Sequence, residues 1–384
     1  MYNIGVGVKE QAYRMVIRTK LLQDSCKKIL DAVDSSNIIN KVVSETVEIK
    51  VSGRELRLNV TNREYYVSVS LPLDVDAELH AVVEAKLFLT LISKISTNDV
   101  ELTTTNTTLI IKGNGNYKVP LIYDEAGKLV ELPRIEVENV TSEFGIKGSV
   151  LQSILKYNAK ELLKGTLNRP SQRLFYIDEK GALTFTSGAC VNSFELESPV
   201  TLFLTEKVVK LFRLFKGDVR SSLGHADRNG RAITLVSFED GSVSLTSAIG
   251  IDQSVTSTFP VSAIRGLADA SYEHTVNLCK ADVLDAITRL SLFSTQPGNP
   301  GVFIEFGAEG ITIYDERKDN NESVAYSGDA AYSGEPYLAS FVANDLRLTL
   351  ESCDETHVNV SFGNHRNILV SRGSVKNVVP ECRQ

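Results

Sequence analysis

The chain has 384 residues, 42% hydrophobic and 23% charged, and 41 Lys and Arg against 48 Asp and Glu give a net charge of −7. That length suits two to four domains with several hydrophobic cores, and the ordinary apolar content excludes a disordered chain. The acidic balance excludes a surface that is basic throughout, yet it averages over any local cationic patch.

Taken in chain order, the first periodic segment is a helix near Lys20–Asp34, with Leu21 and Leu22 opening its apolar face. A Ser52-Gly53 turn precedes the alternating strand Tyr65–Leu71, and a second helix follows near Glu84–Lys94. The Gly113-Asn114-Gly115-Asn116 hairpin closes this unit, and a linker is expected near Asp124–Arg134. A helix near Ser149–Lys164, a strand at Ala182–Ser187, a helix near Thr205–Lys216 and a strand at Ala232–Phe238 repeat the order. A second linker is expected near Ser262–Glu273. The last unit carries helices near Lys280–Leu290 and Ala343–Glu351, with strands Val302–Phe306 and His357–Phe362.

The helices fall into three pairs, each followed by strands. Val150-Leu151 and Val283-Leu284 open the first helix of later pairs as Leu21-Leu22 does. In every pair a short apolar strand runs straight into the second helix, as in residues 80–94, 199–216 and 335–351. Equivalent points recur about every 120–140 residues, the signature of a threefold repeat. The fold class is therefore α+β: three tandem two-helix units with antiparallel sheet, divided as 1–134, 135–272 and 273–384.

Catalytic signals are sparse. His80, His225, His274, His357 and His365 form no HExxH pair, and no GxSxG elbow, SxxK or P-loop occurs. Cys26, Cys190, Cys279, Cys353 and Cys382 are scattered without CxxC, which favours a reducing compartment and no zinc site. Asp315, Glu316 and Asp319 read as a solvated hairpin tip, with a metal-binding loop as the alternative. No apolar run reaches the ~20 residues of a membrane helix, and Met1–Lys20 lacks the pattern of a signal peptide. No metal, cofactor, membrane contact or enzymatic activity is expected, the alternative being an enzyme with an unrecognised site.

The charge is not spread evenly. The six helical windows hold fifteen basic and ten acidic residues, a net of +5, and leave −12 for the rest. Lys156, Lys160 and Lys164 follow an i, i+4, i+8 stripe, opposite Leu151, Ile154, Leu155 and Leu162. Lys207, Lys210, Arg213 and Lys216 form a row of step three, interleaved with Val208, Leu211, Phe212 and Phe215. With Lys20, Lys27, Lys28, Lys86 and Lys94 they are the candidate phosphate contacts, because cations in a groove bind duplex DNA whatever its sequence. The bland alternative is that these lysines simply solvate the outer faces of amphipathic helices.

This arrangement resembles the bacterial sliding clamp, the beta subunit of DNA polymerase III, over nearly the whole chain. AAYSGEPYLASFVANDLRLTLE (330–351) is similar to the family's Tyr-Ser-Gly turn, strand and helix, and ADVLDAITRLSLFSTQPGNPGVFIEF (281–306) to its helix, loop and Gly-Val strand. VVEAKLFLTLISKI (82–95), NTTLIIKGNGNYKVPL (106–121) and TSTFP (256–260) resemble further segments of it.

The resemblance implies the DNA-clamp fold, half of a head-to-tail homodimeric ring around duplex DNA, with no chemistry of its own. It implies a DNA polymerase, a clamp loader and peptide motifs of replication and repair proteins as partners, in a bacterial cytosol or a phage-infected host. For the subunit contact it implies Leu109 and Ile111 on an edge hairpin, Val324 and Tyr326 on the opposing strand, and Leu292 and Phe293 as apolar packing, residues that could equally be core at a helix end. For the peptide pocket it implies Val191, Pro260, Ile264, Arg265, Tyr332, Val379 and the tail Pro380–Arg383, with Cys382 among its walls.

The chain departs from the family where a Thr-Asp-Gly segment lines that pocket. It reads SGACVNSFEL (187–196) instead, and its VVPECRQ end is more polar than the family's methionine-containing one. Divergence of this size suits a clamp encoded by a phage or mobile element. The remaining alternative is a clamp-like scaffold that binds partner proteins without encircling DNA.

Overall fold

The computed structural model describes residues 14–36, 41–164, 169–228, 230–249, 253–294, 300–328 and 332–382. The chain divides into two compact units, Met1–Gly145 with Leu214–Gly250, and Ile146–Arg213 with Ile251–Gln384.

The first unit holds two antiparallel sheets. One has four strands in the order Arg14–Arg18, Asp99–Thr104, Thr108–Lys112, Asn116–Pro120. The other runs Thr46–Thr61, Tyr65–Glu84, Val243–Ala248, Arg231–Glu239, Asp218–Arg228, Asn139–Lys147. Alternation explains the small sheet: Met15 and Ile17 face inward while Arg14, Val16 and Arg18 face out. Within Thr46–Thr61 the register shifts at Gly53, whose φ of 60° favours glycine. The Asn59 amide donates to Glu48 at 2.8 Å. An extended run would hold these residues roughly 36 Å apart, so the chain doubles back at Gly53.

Helices Thr19–Leu30 and Ala85–Lys94 pair over these sheets. Leu22, Cys26 and Ile29 of the first and Phe88, Leu89 and Ile92 of the second are buried. The Gln23 side chain ties them by donating to the Ile92 and Ile95 carbonyls at 3.0 and 2.8 Å, satisfying the open end of the second helix. At its other end the Glu84 carboxylate accepts from the Lys86 and Leu87 amides.

The second unit holds an eight-stranded sheet ordered Thr201–Thr205, Leu174–Asp178, Gly181–Phe185, Ala189–Ser193, Val375–Pro380, Asn367–Arg372, His357–Phe362, His274–Cys279. Strands from the middle of the sequence thus pair directly with strands from its end, through Ala189–Ser193 against Val375–Pro380. A four-stranded sheet, Asn321–Ala325, Gly310–Tyr314, Gly301–Phe306, Tyr337–Val342, closes a core with helices Lys280–Leu290 and Ala343–Ser352. Phe362 is its hub: it stacks on Phe306 at 3.9 Å and meets Tyr332 and Tyr337 at 5.3 and 5.4 Å.

All six expected helical segments are helical, though the middle pair is irregular. Gly148–Ser153 passes through a π-turn at Ile154–Asn158 and ends at Glu161, and Glu206–Lys210 tightens into a 3₁₀ turn at Leu211–Leu214. The linker expected at Ser262–Glu273 is partly a helix, Val261–Ala268, because Ile264 and Ala268 at i, i+4 bury against the eight-stranded sheet. The expected edge at Leu109–Ile111 is also corrected. Thr108–Lys112 has a strand on each side, so its backbone is fully paired, and both side chains are buried. The edge of that sheet is Asn116–Pro120.

Replacing Phe362 with Ala should lower unfolding free energy by about 3–5 kcal/mol, seen as a lower urea midpoint with an unchanged slope.

Candidate functional site: cationic helices and an apolar cavity

The structure redistributes the candidate phosphate contacts. In the first unit Lys20, Lys27, Lys86 and Lys94 are exposed, Lys20 within 3.1 Å of Asp24, while Lys28 is half-buried and donates to the Ser242 hydroxyl. In the second unit Lys207, Lys210 and Arg213 are all exposed, Lys210 pairing with Glu206 at 2.8 Å. Lys216, also exposed, belongs to the first unit. Lys207 and Lys210 lie on the α-helix, and Arg213 follows on the 3₁₀ turn Leu211–Leu214.

The stripe Lys156, Lys160, Lys164 does not form. The π-turn inserts a residue into the helical repeat, the helix stops at Glu161, and Lys164 folds back under it. Lys164 is 2% exposed, its ammonium 2.6 Å from a Glu161 carboxylate that is also fully buried. Lys164 is therefore removed from the phosphate contacts. Burial pushes the Glu161 carboxyl up, and the Lys164 cation and hydrogen bonds from Lys164 and Thr186 oppose it. Lys156 pairs with Asp354, which also accepts from Tyr157, and Lys160 donates to the Glu351 carbonyl at 2.7 Å. Both lysines are thus tied to carboxylate-bearing residues at the end of helix Ala343–Ser352.

On the eight-stranded sheet of the same unit lies a cavity of about 400 Å³. Helix Val261–Ala268 forms one wall with Ala263, Ile264 and Leu267, and Phe185, Ala189, Val378 and Pro380 supply the sheet side. Gly188 lets the backbone approach closely at its edge: a Cβ there would lie 2.3 Å from the Val378 carbonyl and 3.2 Å from the Pro380 ring. Phe259 packs beneath, with rings of Phe185 and Tyr176 at 5.0 and 5.6 Å. The polar lining is Thr186, Ser187, Asn367, His365 and Arg366.

Of the pocket residues expected from sequence, Pro260, Ile264 and Pro380 line this cavity. The others do not. Val191 is 7% exposed and lies in the layer beneath. Val379 points to the opposite face, into the core around Phe362, because neighbours on a strand alternate; Val378 is the residue that faces the cavity. Tyr332 is in that same core, its hydroxyl donating to the Glu335 carbonyl. Arg265 turns away to Asp178, 2.6 Å from its carboxylate. Burial alone would raise that carboxyl, but hydrogen bonds from Arg265, the Lys180 amide and Tyr176 outweigh it and hold Asp178 below the ordinary range. Cys382 is exposed, and its amide donates to the Ser340 carbonyl at 2.8 Å. Arg383 lies outside the described residues.

The sequence missed Phe185, Leu267, His365 and Arg366. Ile264, Leu267 and Ala268 carry helical spacing that could have flagged the wall; nothing local flags His365-Arg366, which a strand pairing brings there. A second cavity, about 440 Å³ in the first unit, is lined by Arg57, Arg134, Tyr66 and seryl hydroxyls such as Ser68 and Ser237, with Ile135, Val137 and Val243 beside them.

The expected contact residues separate by exposure. Leu292 and Phe293 are not core: they are 80% and 55% exposed on the turn after helix Lys280–Leu290. Val324 is buried and Tyr326 half-buried, at and just after the edge strand Asn321–Ala325. Among the described residues no group of His, Cys, Asp and Glu is arranged to hold a metal, and no helix is long and apolar enough to cross a membrane.

No protein-family model and no curated protein matches the sequence. Solved structures do. The beta subunit of the DNA polymerase of Streptococcus pyogenes superposes with a TM-score of 0.80 at 16% identity, over 97% of this chain and 100% of that one. The DNA polymerase sliding clamp of Bacillus subtilis gives 0.75 at 16%, and the DNA polymerase III beta chain of Streptococcus pneumoniae 0.77 at 14%, with the same coverage. The chain has the sliding-clamp fold of the bacterial DNA polymerase III beta subunit, an α+β fold dominated by antiparallel sheet.

Two substitutions test the buried polar groups. Lys164→Met should cost about 3–5 kcal/mol by stranding Glu161, and adding Glu161→Gln should recover most of it, as read by urea unfolding at pH 7. For Asp178, a carboxyl depressed in the folded state stabilises above its unfolded value near pH 4 and loses that contribution as pH falls through the folded value. Asp178→Asn should therefore lower stability at pH 7 and flatten its decline below about pH 4, measured by melting across pH.

Proposed function

We propose that this chain is a sliding clamp: a non-enzymatic processivity factor that encircles duplex DNA as a homodimeric ring in the cytoplasm. The observation that carries this reading is the fold match, which spans 97% of this chain and the whole of the solved clamps. In this reading the chain is three repeats, 1–134, 135–272 and 273–384, and the ring holds six.

Each ring joint needs two free strand edges and an apolar patch, met head to tail so that the assembly closes. Asn116–Pro120 and Asn321–Ala325 each end a four-stranded sheet, and Leu292 and Phe293 are large apolar side chains left in water. We assign the joint to these elements, with Asn116–Pro120 in the place first given to Leu109 and Ile111. DNA contact falls to Lys20, Lys27, Lys28, Lys86, Lys94, Lys207, Lys210, Arg213 and Lys216. Lys156 and Lys160 serve as secondary contacts, held by Asp354 and Glu351. Loose phosphate contacts of this kind bind without reading sequence and let the ring slide.

The apolar cavity receives peptide motifs of a polymerase, a clamp loader and repair proteins. Its volume and lining suit apolar side chains, in contrast to the hydroxyl-lined cavity of the first unit.

The wild-type chain should scatter light as a dimer at micromolar concentration and stay on nicked circular DNA after loading. Leu292→Ser with Phe293→Ser should give monomers that are not retained. Reversal of Lys207, Lys210, Arg213 and Lys216 to Glu should leave the dimer intact but lower the salt dependence of DNA binding, by about one unit of slope per lost contact. A dimer that binds partner peptides but is indifferent to this reversal would instead be a scaffold that does not encircle DNA.

A further inference from the structure

We propose that the polar cavity of the first unit binds a neutral saccharide, a ligand whose hydroxyls both donate and accept. Such a ligand is additional to DNA and to peptide partners, and it does not depend on the clamp reading.

Strand register builds the floor of this cavity. Asn59 stands opposite Ser68, Ser68 opposite Ser244, and Ser244 opposite Glu239. Residues directly opposite share a face of a sheet, so the four form one row, roughly 14 Å long at about 4.8 Å per strand. Two residues along, Tyr66, Thr246, Ser237 and Ser222 form a second row on the same face. Both rows line a space of about 440 Å³. The segment Arg134–Val137 bounds it, held down by Ile135, which packs with Tyr66.

A solvated sheet face is also polar, but it leaves no buried group unsatisfied. Here Asn59 is 2% exposed; its amide nitrogen donates to Glu48 at 2.8 Å, and its oxygen has no partner among the described residues. An acceptor in that state gains from any donor brought to the floor. The side chains of Ser68, Ser244 and Glu239, in the same row, also have no partner among the described residues.

Charge selects a neutral occupant. Arg57 lies 2.7 Å from Glu55, and Arg134 lies 3.7 Å from Glu136. With Glu239 on the floor and Lys28 donating to Ser242 at 3.2 Å, three carboxylates face three cations. An anion would therefore meet the carboxylates and a cation the guanidinium groups. A sugar hydroxyl suits both, donating to a carboxylate or to the Asn59 oxygen and accepting from a guanidinium. Seryl and threonyl hydroxyls turn to serve either end of it. Ile135, Val137 and Val243 offer apolar surface to the C–H face of a sugar ring.

The test uses the full chain and a panel of glucose, galactose, mannose, ribose, maltose, lactose and maltotriose, read by saturation-transfer NMR and titrated by calorimetry. At least one should bind with a Kd of about 1 mM or tighter. Ser68→Ala with Ser244→Ala should weaken it about ten-fold by removing two hydrogen bonds, with unchanged circular dichroism. Thr246→Val should weaken it as well, and Leu267→Asp, in the other cavity, should leave it unchanged.

No saccharide of the panel bound below about 10 mM would overturn the proposal. So would binding that neither floor variant weakens, which marks an adventitious additive only. Displacement of the sugar by equimolar inorganic phosphate or spermidine would hand the site to a charged ligand and overturn the neutral assignment.

Discussion

The structure depends on strand pairing between segments far apart in sequence. In the second unit Ala189–Ser193 pairs antiparallel with Val375–Pro380, and in the first Tyr65–Glu84 pairs with Val243–Ala248. Each pairing merges strands from distant parts of the sequence into one sheet, so no short stretch of chain closes its own hydrogen-bond ladder. The side chains must then alternate across a shared surface. One face of Val375–Pro380 sends Val379 into the core around Phe362; the other sends Val378 to the cavity with Ile264. The cavity exists because two strands distant in sequence supply its floor and the helix Val261–Ala268 supplies its wall.

Charge follows the same logic of shared surfaces. An acidic chain concentrates cations on its helices, but a neighbouring carboxylate competes with phosphate for any cation that it pairs with. Lys156 and Lys160 are claimed by Asp354 and Glu351, and Lys164 by Glu161. Lys207, Lys210 and Arg213 are exposed along their helix, with Lys210 2.8 Å from Glu206. A desolvated ion pair such as Glu161 with Lys164 adds little net stability but makes the loss of either partner expensive. It therefore specifies the end of that helix more than it strengthens it.

Much of the fold was legible in the chain itself. Period-2 alternation placed Val302–Phe306 and His357–Phe362 as strands, and 3.6-residue periodicity placed all six helices that form the pairs. Where reading failed, the missing quantity was a neighbour. Leu109 and Ile111 look like an edge strand until Asn116–Pro120 is seen to cover their open side. Val379 and Val378 differ only in which face of the sheet each one meets. Leu292 and Phe293 read equally as contact residues or as core, and the turn after Leu290 leaves them exposed.

What the sequence by itself determined is local and periodic: which segments are helix or strand, their order along the chain, and the excess of cations on helices. These follow from backbone propensity and the spacing of apolar residues, which any short window contains. Tertiary structure alone decided which strand is an edge, which lysine is buried, and which residues wall the cavity. Those outcomes depend on hydrogen-bond and ion-pair partners that lie far along the chain, and on a strand register in which a single step exchanges core for surface.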